Sequence, residues 1–344
     1  MTFSTYKTTL LSAILVSLLV GIADAQRSDG RRHPPRRLPN TRHLNLTGSA
    51  VLERNIMAHM QFLADDALQG RGSTTQYELI AGQYIASQLQ QFGIAPAGDS
   101  SVSGKRNFLQ TVTLQDGKSR TWNVVGELRG GDQRLAKEII ILSAHMDHLG
   151  VNPSASGDNI YNGADDDASG VVAVLELARA LGDGLRPKRT VYFVLFGSEE
   201  KGGLGSKYFI ENMRVPLGDV VANLQFEMIG RPDAKVPADT LWLTGYDRSN
   251  LGPELAKRGA LLVRDPHPEE KFFQRSDNYT LAKRGIVAHT VSSFGLHKEY
   301  HQPDDDLAHI NSAHMTRAIK SLMKPVRWLT NSAFRPGWVA GKKP

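Results

Sequence analysis

The chain has 344 residues, 40% of them apolar and 22% charged, which excludes wholesale disorder and a polytopic membrane protein. It has no cysteine, so disulfides, thiolate metal sites and a cysteine nucleophile are excluded and any metal must sit on His, Asp and Glu. The net charge of +6 is a terminal feature: residues 1–45 hold seven basic and two acidic side chains, the other 299 residues 34 and 33, so the body is neutral and reads as no nucleic-acid binder.

The N-terminus reads as an export signal. Lys7 precedes the apolar run Leu10–Ala23, and Ala23-Asp24-Ala25 puts small residues at −3 and −1 of a cleavage point. Fourteen residues are short for a hydrocarbon layer of about 30 Å. Residues 1–25 are therefore expected to be a signal peptide cut after Ala25. The mature protein would be secreted or periplasmic, with no stable membrane insertion after cleavage. Residues 26–45, rich in Arg and Pro with no hydrophobic period, read as a disordered leader. A single domain is expected over 46–335, followed by a C-terminal tail at 336–344.

Helical spacing of apolar residues predicts helices over 51–63 and 77–92, separated by the polar, Gly-punctuated loop Asp65–Gly72. Strands and helices then alternate. Buried-type strands are predicted at 138–143, 190–196, 220–228 and 285–292, and helices at 168–181, 278–284 and 314–329. Alternation with continuously apolar strands predicts an α/β fold around a covered, mostly parallel sheet. Ligands of such sheets bind beyond the carboxyl ends of the strands.

Each predicted strand ends in metal-binding residue types. The first leads into His145-Met146-Asp147-His148. His145 can ligate, and Asp147, two residues on, lies on the same side of an extended chain and can fix the imidazole tautomer. Asp165-Asp166-Asp167 follow. One of them can cap the next helix, as suits Asp167, but three successive carboxylates are better explained by a bound multivalent cation. Glu199-Glu200 follow the second strand and suit divided labour, one binding metal and the other serving as a general base. Glu227 closes the third among apolar neighbours and needs a partner, either a metal or Arg231. Beyond the fourth lie His297 and His301, of which one is expected to ligate. In chain order the set is His, Asp, Glu-Glu, Glu, His, the oxygen and nitrogen donors of a two-metal hydrolase.

These stretches, SAHMDHLG, YNGADDDASG, FGSEEKGGLGS, LQFEMIG and YHQPDDD, resemble those of the co-catalytic zinc exopeptidases, the aminopeptidase and glutamate-carboxypeptidase family (peptidase family M28). The leader segments HMQFLADDALQGRGS and LQQFGIAPAG are similar to that family's N-terminal part. The resemblance implies a three-layer, single-domain α/β fold with a mixed, mainly parallel sheet between helices. It also implies two Zn2+ per chain: one on His145 and Glu227, the other on Glu200 and His301, with Asp166, the middle aspartate, bridging both. Glu199 would be the general base and Asp147 the support of His145. The activity implied is that of an aminopeptidase, in which a bridging hydroxide attacks the scissile carbonyl of a peptide whose free N-terminus is held at the metals. Many relatives have Asp in place of Glu227, and some have a tyrosine oxyanion donor where this chain has Phe272, Phe273 and Gln274. Tyr161 and Tyr300 are the substitute candidates. A carboxypeptidase of the same family would need an arginine cluster, drawn from Arg231, Arg275 and Arg284. A one-zinc glutaminyl cyclase and a non-catalytic ectodomain of the same fold are the remaining alternatives.

Overall fold

A computed structural model describes residues 50–344 of the chain. The signal peptide, its cleavage after Ala25 and the leader at 26–45 lie outside the described residues.

Eleven strands form among the described residues: β1 (Ala95–Pro96), β2 (Leu109–Thr113), β3 (Arg120–Leu128), β4 (Ile139–His145), β5 (Gly150–Val151), β6 (Ile160–Tyr161), β7 (Thr190–Phe196), β8 (Val220–Phe226), β9 (Leu241–Leu243), β10 (Leu262–Arg264) and β11 (Ala288–Ser292). The α-helices are α1 (Glu53–Leu63), α2 (Gln76–Gln91), α3 (Gly170–Gly182), α4 (Leu204–Glu211), α5 (Leu251–Lys257), α6 (Asn278–Lys283) and α7 (Ser312–Asn331). Nine strands make one mixed sheet in the order β1-β3-β7-β4-β8-β11-β9-β10, with β2 also on β3. Strands β7, β4, β8 and β11 run parallel side by side, so their carboxyl ends open on one edge. Strand β3 joins β7 antiparallel, and β9 joins β11 antiparallel. β5 and β6 form a separate small hairpin.

The period of two along the central strands sorts side chains between two cores. Ile140, Leu142 and Ala144 of β4, with Val191, Phe193 and Leu195 of β7, face a large core shared with α1, α2, α3, α5 and α7. Ile139 and Ile141, with Tyr192, Val194 and Phe196, face a smaller core closed by α4 and α6. The result is three layers, as expected. Both faces of the strands are apolar because both are covered.

The predicted helices and strands are present, with shifts at their ends. The first central strand runs on to His145, and the last begins at Ala288 rather than 285. Sequence periodicity did not find β2, β3, β9, β10, α4 or α5. β9 and β10 are three residues each, too short to carry a pattern. β3 carries Asn123 inside the sheet, where its amide donates to Gln110 Oε1 (2.9 Å) and the Gly205 carbonyl (3.0 Å). The tail is docked at its start: Trp338 Nε1 donates to the Gly285 carbonyl and Val339 N to that of Arg248.

Candidate metal centre

The parallel strands deliver the site. His145 is the last residue of β4, Glu199 and Glu200 follow β7, Glu227 follows β8, and the loop after β11 carries His297 and His301. Asp166 enters from the turn just before α3.

Asp166 is the hub. Its Oδ1 lies 3.0 Å from His145 Nε2 and its Oδ2 3.1 Å from His301 Nε2. Glu200 Oε1 stands 3.3 Å from His301 Nε2 and 3.1 Å from His148 Nδ1. Glu227 Oε2 accepts a short hydrogen bond from the Ser276 hydroxyl. Arg231, its alternative partner, is paired instead with Glu299 at 3.0 Å. Asp166, Glu199, Glu200 and Glu227 line one cavity. His148 carried no expected role. It sits with Asp166 and Glu200 so that one ligand atom from each lies within 4.8 Å of the others, and its Nε2 is buried without a hydrogen-bond partner. Its signal in the sequence is its place in the His-Met-Asp-His run, three residues past His145.

The three aspartates divide their work, and a cation is needed to explain only one of them. Asp167 Oδ1 accepts from Gly170 N (2.9 Å), capping α3, and from Met228 N (3.1 Å), while its Oδ2 accepts from His145 N (3.2 Å). Asp165 Oδ1 accepts from Gly230 N (2.6 Å), and its Oδ2 pairs with His297 Nε2 at 3.0 Å. His297 therefore anchors the loop that presents His301. Asp166 alone turns to the cavity. Its backbone N donates to Asp305 Oδ2 (3.0 Å), and Asp165 N to Asp305 Oδ1 (2.9 Å), so a buried carboxylate from the YHQPDDD stretch holds the turn.

Asp147 supports more than His145. Its backbone carbonyl, not its carboxylate, lies closest to His145 Nδ1, at 3.2 against 3.7 Å. The carboxylate accepts from Glu199 N (2.9 Å), Glu200 N (3.3 Å) and the Ser73 hydroxyl (2.5 Å). Glu78, fully buried on α2, continues this clamp. Its Oε1 accepts from Ser198 N (3.2 Å) and the Thr121 hydroxyl (2.5 Å), and its Oε2 from Thr74 N (2.8 Å). Two buried carboxylates thus hold three consecutive N–H groups, Ser198 to Glu200. Ser198 itself has φ +52°, a conformation that needs such over-determination.

Arg71 is the other contribution of the N-terminal segment. Its guanidinium is 1% exposed and donates to four carbonyls: Leu63 (2.5 Å), Met146 (3.0 Å), Asn162 (2.6 Å) and Gly163 (2.9 Å). It ties the end of α1, the exit of β4 and the approach to Asp166 into one unit. The preceding Gly70 has φ +65°, and a Cβ there would strike the carbonyl oxygens of Tyr161 and Gly150.

The electrostatics follow from crowding. Burial raises Glu199 well above the usual carboxylate range, and the Glu227, Asp277 and Glu200 charges add to this while His145 opposes it. Burial also raises Glu227 to about 7, with Asp166 and Asp277 contributing. Burial works against the His301 imidazolium, yet its hydrogen bonds to Asp166 and Glu200 lift it to about 10. These shifts mark a place where protons, or other positive charge, are favoured. The donors are oxygens and nitrogens without sulfur, and Asp166 presents one oxygen to each side. Both facts fit zinc-type ions.

Met228, Trp242, Phe272 and Phe294 wall the cavity on one side. Tyr300 also lines it and stacks on His301 with ring centroids 3.9 Å apart, whereas Tyr161 lies in the β5–β6 hairpin. The three candidate arginines are not assembled: Arg231 pairs with Glu299, Arg284 stands 3.8 Å from Glu211, and only Arg275 lines the cavity.

Fold and side chains together define a three-layer α/β protein with a nest of oxygen and nitrogen donors at the carboxyl edge of its parallel strands. The chain belongs to peptidase family M28, which it matches over residues 123–325. Leucine aminopeptidase 2 of Trichophyton equinum is 27% identical over 267 residues, 68% of this chain and 51% of that protein. Leupeptin-inactivating enzyme 1 of Streptomyces exfoliatus is 31% identical over 138 residues, 40% of this chain and 28% of that protein. The chain spans about half the length of the curated relatives it matches first. Among solved structures, BSAP, a zinc aminopeptidase from Bacillus subtilis, shares the fold with a TM-score of 0.63 at 16% identity, over 82% of this chain and 96% of that one. Glutaminyl cyclase of Porphyromonas gingivalis does so at 0.62 and 17%, over 81% and 99%.

Proposed function

We propose that this protein is an exported, zinc-dependent aminopeptidase that removes N-terminal residues from peptides. The observation that carries this is Asp166, with His145 on one oxygen and His301 on the other, beside an uncommitted Glu199. On this reading His145 and Glu227 would hold one zinc and Glu200 and His301 the other, with Asp166 shared between the two. The names of the M28 relatives support the aminopeptidase assignment, and that of the Bacillus neighbour supports zinc. Bound there, two zinc ions would polarise the scissile carbonyl and make an adjacent water acidic at neutral pH.

The chain's own residues do the rest. Glu199, kept basic enough by burial and neighbouring charge, takes the proton of the attacking water and delivers it to the leaving amine. Asp147 and Glu78 fix the backbone that aims Glu199 and Glu200. The aromatic wall of Trp242, Phe272 and Phe294 receives an apolar side chain of the N-terminal residue. The three candidate arginines are separated and form no cluster of the kind a carboxypeptidase of this family would use. Export rests on the layout of residues 1–25.

Glu199→Gln tests the chemistry. Turnover of a leucine anilide should fall about 10²–10⁴-fold while bound zinc stays at the wild-type level. Retained turnover would remove Glu199 as the base.

A further inference from the structure

The cleft has a second lobe. Beyond Glu199 and Glu200, away from the aromatic wall, a polar recess of about 400 Å³ is lined by Lys207 of α4, Lys283 and Tyr279 of α6, and Gln274. Glu199, Glu200, Arg275, Ser276 and Tyr300 border both lobes, so the reacting centre stands at the waist of one cleft. If the aromatic lobe takes the N-terminal side chain, the remainder of the peptide leaves through the polar lobe.

That lobe carries three basic side chains, Lys207, Lys283 and Arg275. Lys207 Nζ donates to the Gly202 carbonyl (2.7 Å), and Lys283 Nζ lies 5.1 Å from the Tyr279 ring centroid. Among the described residues neither lysine has an ion-pair partner. Arg275 lies over the Phe272 ring at 4.9 Å and reaches Glu270 at 3.2 Å, on the rim. The acids here are Glu199, Glu200 and Asp277. Glu200 is engaged by His148 and His301, and Asp277 is buried, its carboxyl pushed up to about 7 by desolvation against the lowering effect of the nearby Lys207 charge. Among the described residues Lys207 and Lys283 are therefore the cations of this lining without a salt bridge, whereas Arg275 is held by Glu270.

We propose that Lys207 and Lys283, with Arg275 at the waist, form a carboxylate-binding subsite on the leaving side of the scissile bond. This deepens, and rests on, the aminopeptidase reading. An extended residue advances the chain by about 3.3–3.6 Å, so a subsite adjoining Glu199 and Glu200 meets a carboxylate one or two residues past the bond. Two substrates supply one there: a dipeptide or tripeptide through its free C-terminus, and a longer peptide through an acidic second residue. Lysine ammonium groups suit this role, as compact charges that tolerate either geometry.

The test uses the full-length, zinc-loaded protein at low ionic strength. The substrates are Leu-Gly, Leu-Gly-amide and Leu-Glu-Gly-amide, with Leu-Gln-Gly-amide as the neutral match of the last. Wild type should favour at least one carboxylate substrate over its neutral match about tenfold in kcat/KM, mainly through KM. In K207Q/K283Q that ratio should fall to near one, and 0.5 M salt should compress it in wild type. Preference confined to Leu-Gly identifies the C-terminal carboxylate; preference confined to Leu-Glu-Gly-amide identifies the side chain. Equal rates on acids and neutral matches, or a ratio untouched by the double substitution, overturn the subsite and leave the aminopeptidase reading standing. No cleavage of any of the four overturns that reading itself.

Discussion

Glu78 is far from the cavity in sequence, and its removal should nevertheless be felt in turnover. Its Oε1 accepts from Ser198 N and the Thr121 hydroxyl, and its Oε2 from Thr74 N, at full burial. Glu78→Ala strands these buried donors at about 1–3 kcal/mol each, so a loss of about 3–5 kcal/mol in unfolding free energy is expected once the backbone relaxes. It also frees Ser198, whose positive φ sets the direction of Glu199 and Glu200. Misplacing a catalytic group by about 1 Å costs on the order of 10²-fold, so kcat on a leucine anilide should fall about 10–100-fold with KM little changed. Glu78→Gln keeps an oxygen toward Ser198 and Thr121 and compromises only the Thr74 contact, about 1–3 kcal/mol. Burial, helped by the Asp147 charge, already raises Glu78 to about 8, so a neutral amide is a close substitute at pH 7. The assay is urea unfolding together with steady-state kinetics on both variants. An Ala variant with wild-type kcat, or Gln as damaging as Ala, would refute the clamp.

Arg71→Met should destabilise the protein by at least about 4 kcal/mol, because four buried carbonyls lose a charged donor at once; a loss under about 2 kcal/mol in urea unfolding would contradict the latch. His289 is buried between Ser249 and the Thr244 carbonyl, and burial lowers its pKa from 6.5 to about 4. Its folded value lies below its unfolded one, so the stability it contributes is complete above pH 6.5 and is lost as pH falls toward 4, by about 3 kcal/mol. His289→Gln should flatten the stability profile across that window, and an unchanged slope would remove His289 as its source. His297→Ala should lower zinc occupancy by releasing the His301 loop from Asp165; full occupancy at wild-type affinity would count against that anchor.

The ligand-type residues were legible because each stands where an apolar strand run breaks into polar residues, and parallel strands bring such breaks to one edge. His145, Glu199, Glu200 and Glu227 needed only that rule. Choosing Asp166 among three aspartates needed the family resemblance, since the neighbours differ only in which backbone donors fold beneath them. Asp165 and Asp167 are satisfied by N–H groups about 60 residues away in sequence, at Gly230 and Met228. Such partners leave no local pattern. The same holds for Arg71, Glu78 and Asp305: in sequence they are ordinary polar residues of a loop, a helix and an acidic run. What makes them part of the site is burial against segments brought in by tertiary structure, as at Glu78, where α2 meets the exit of β7. The antiparallel half of the sheet was missed for another reason. β3 mixes Asn123 and Gly126 into its apolar residues, and the edge strands are too short for periodicity to rise above chance.

The central claim is a metal-dependent cut next to a free N-terminus. The direct measurement is hydrolysis of one peptide in three forms, with a free amine, N-acetylated, and C-terminally amidated, each before and after chelation and after zinc is restored. The proposed function predicts cleavage of the free-amine and amidated forms only, loss of activity on chelation, and recovery at about two zinc per chain. Cleavage of the acetylated peptide at its C-terminus, or activity indifferent to chelation, would contradict it.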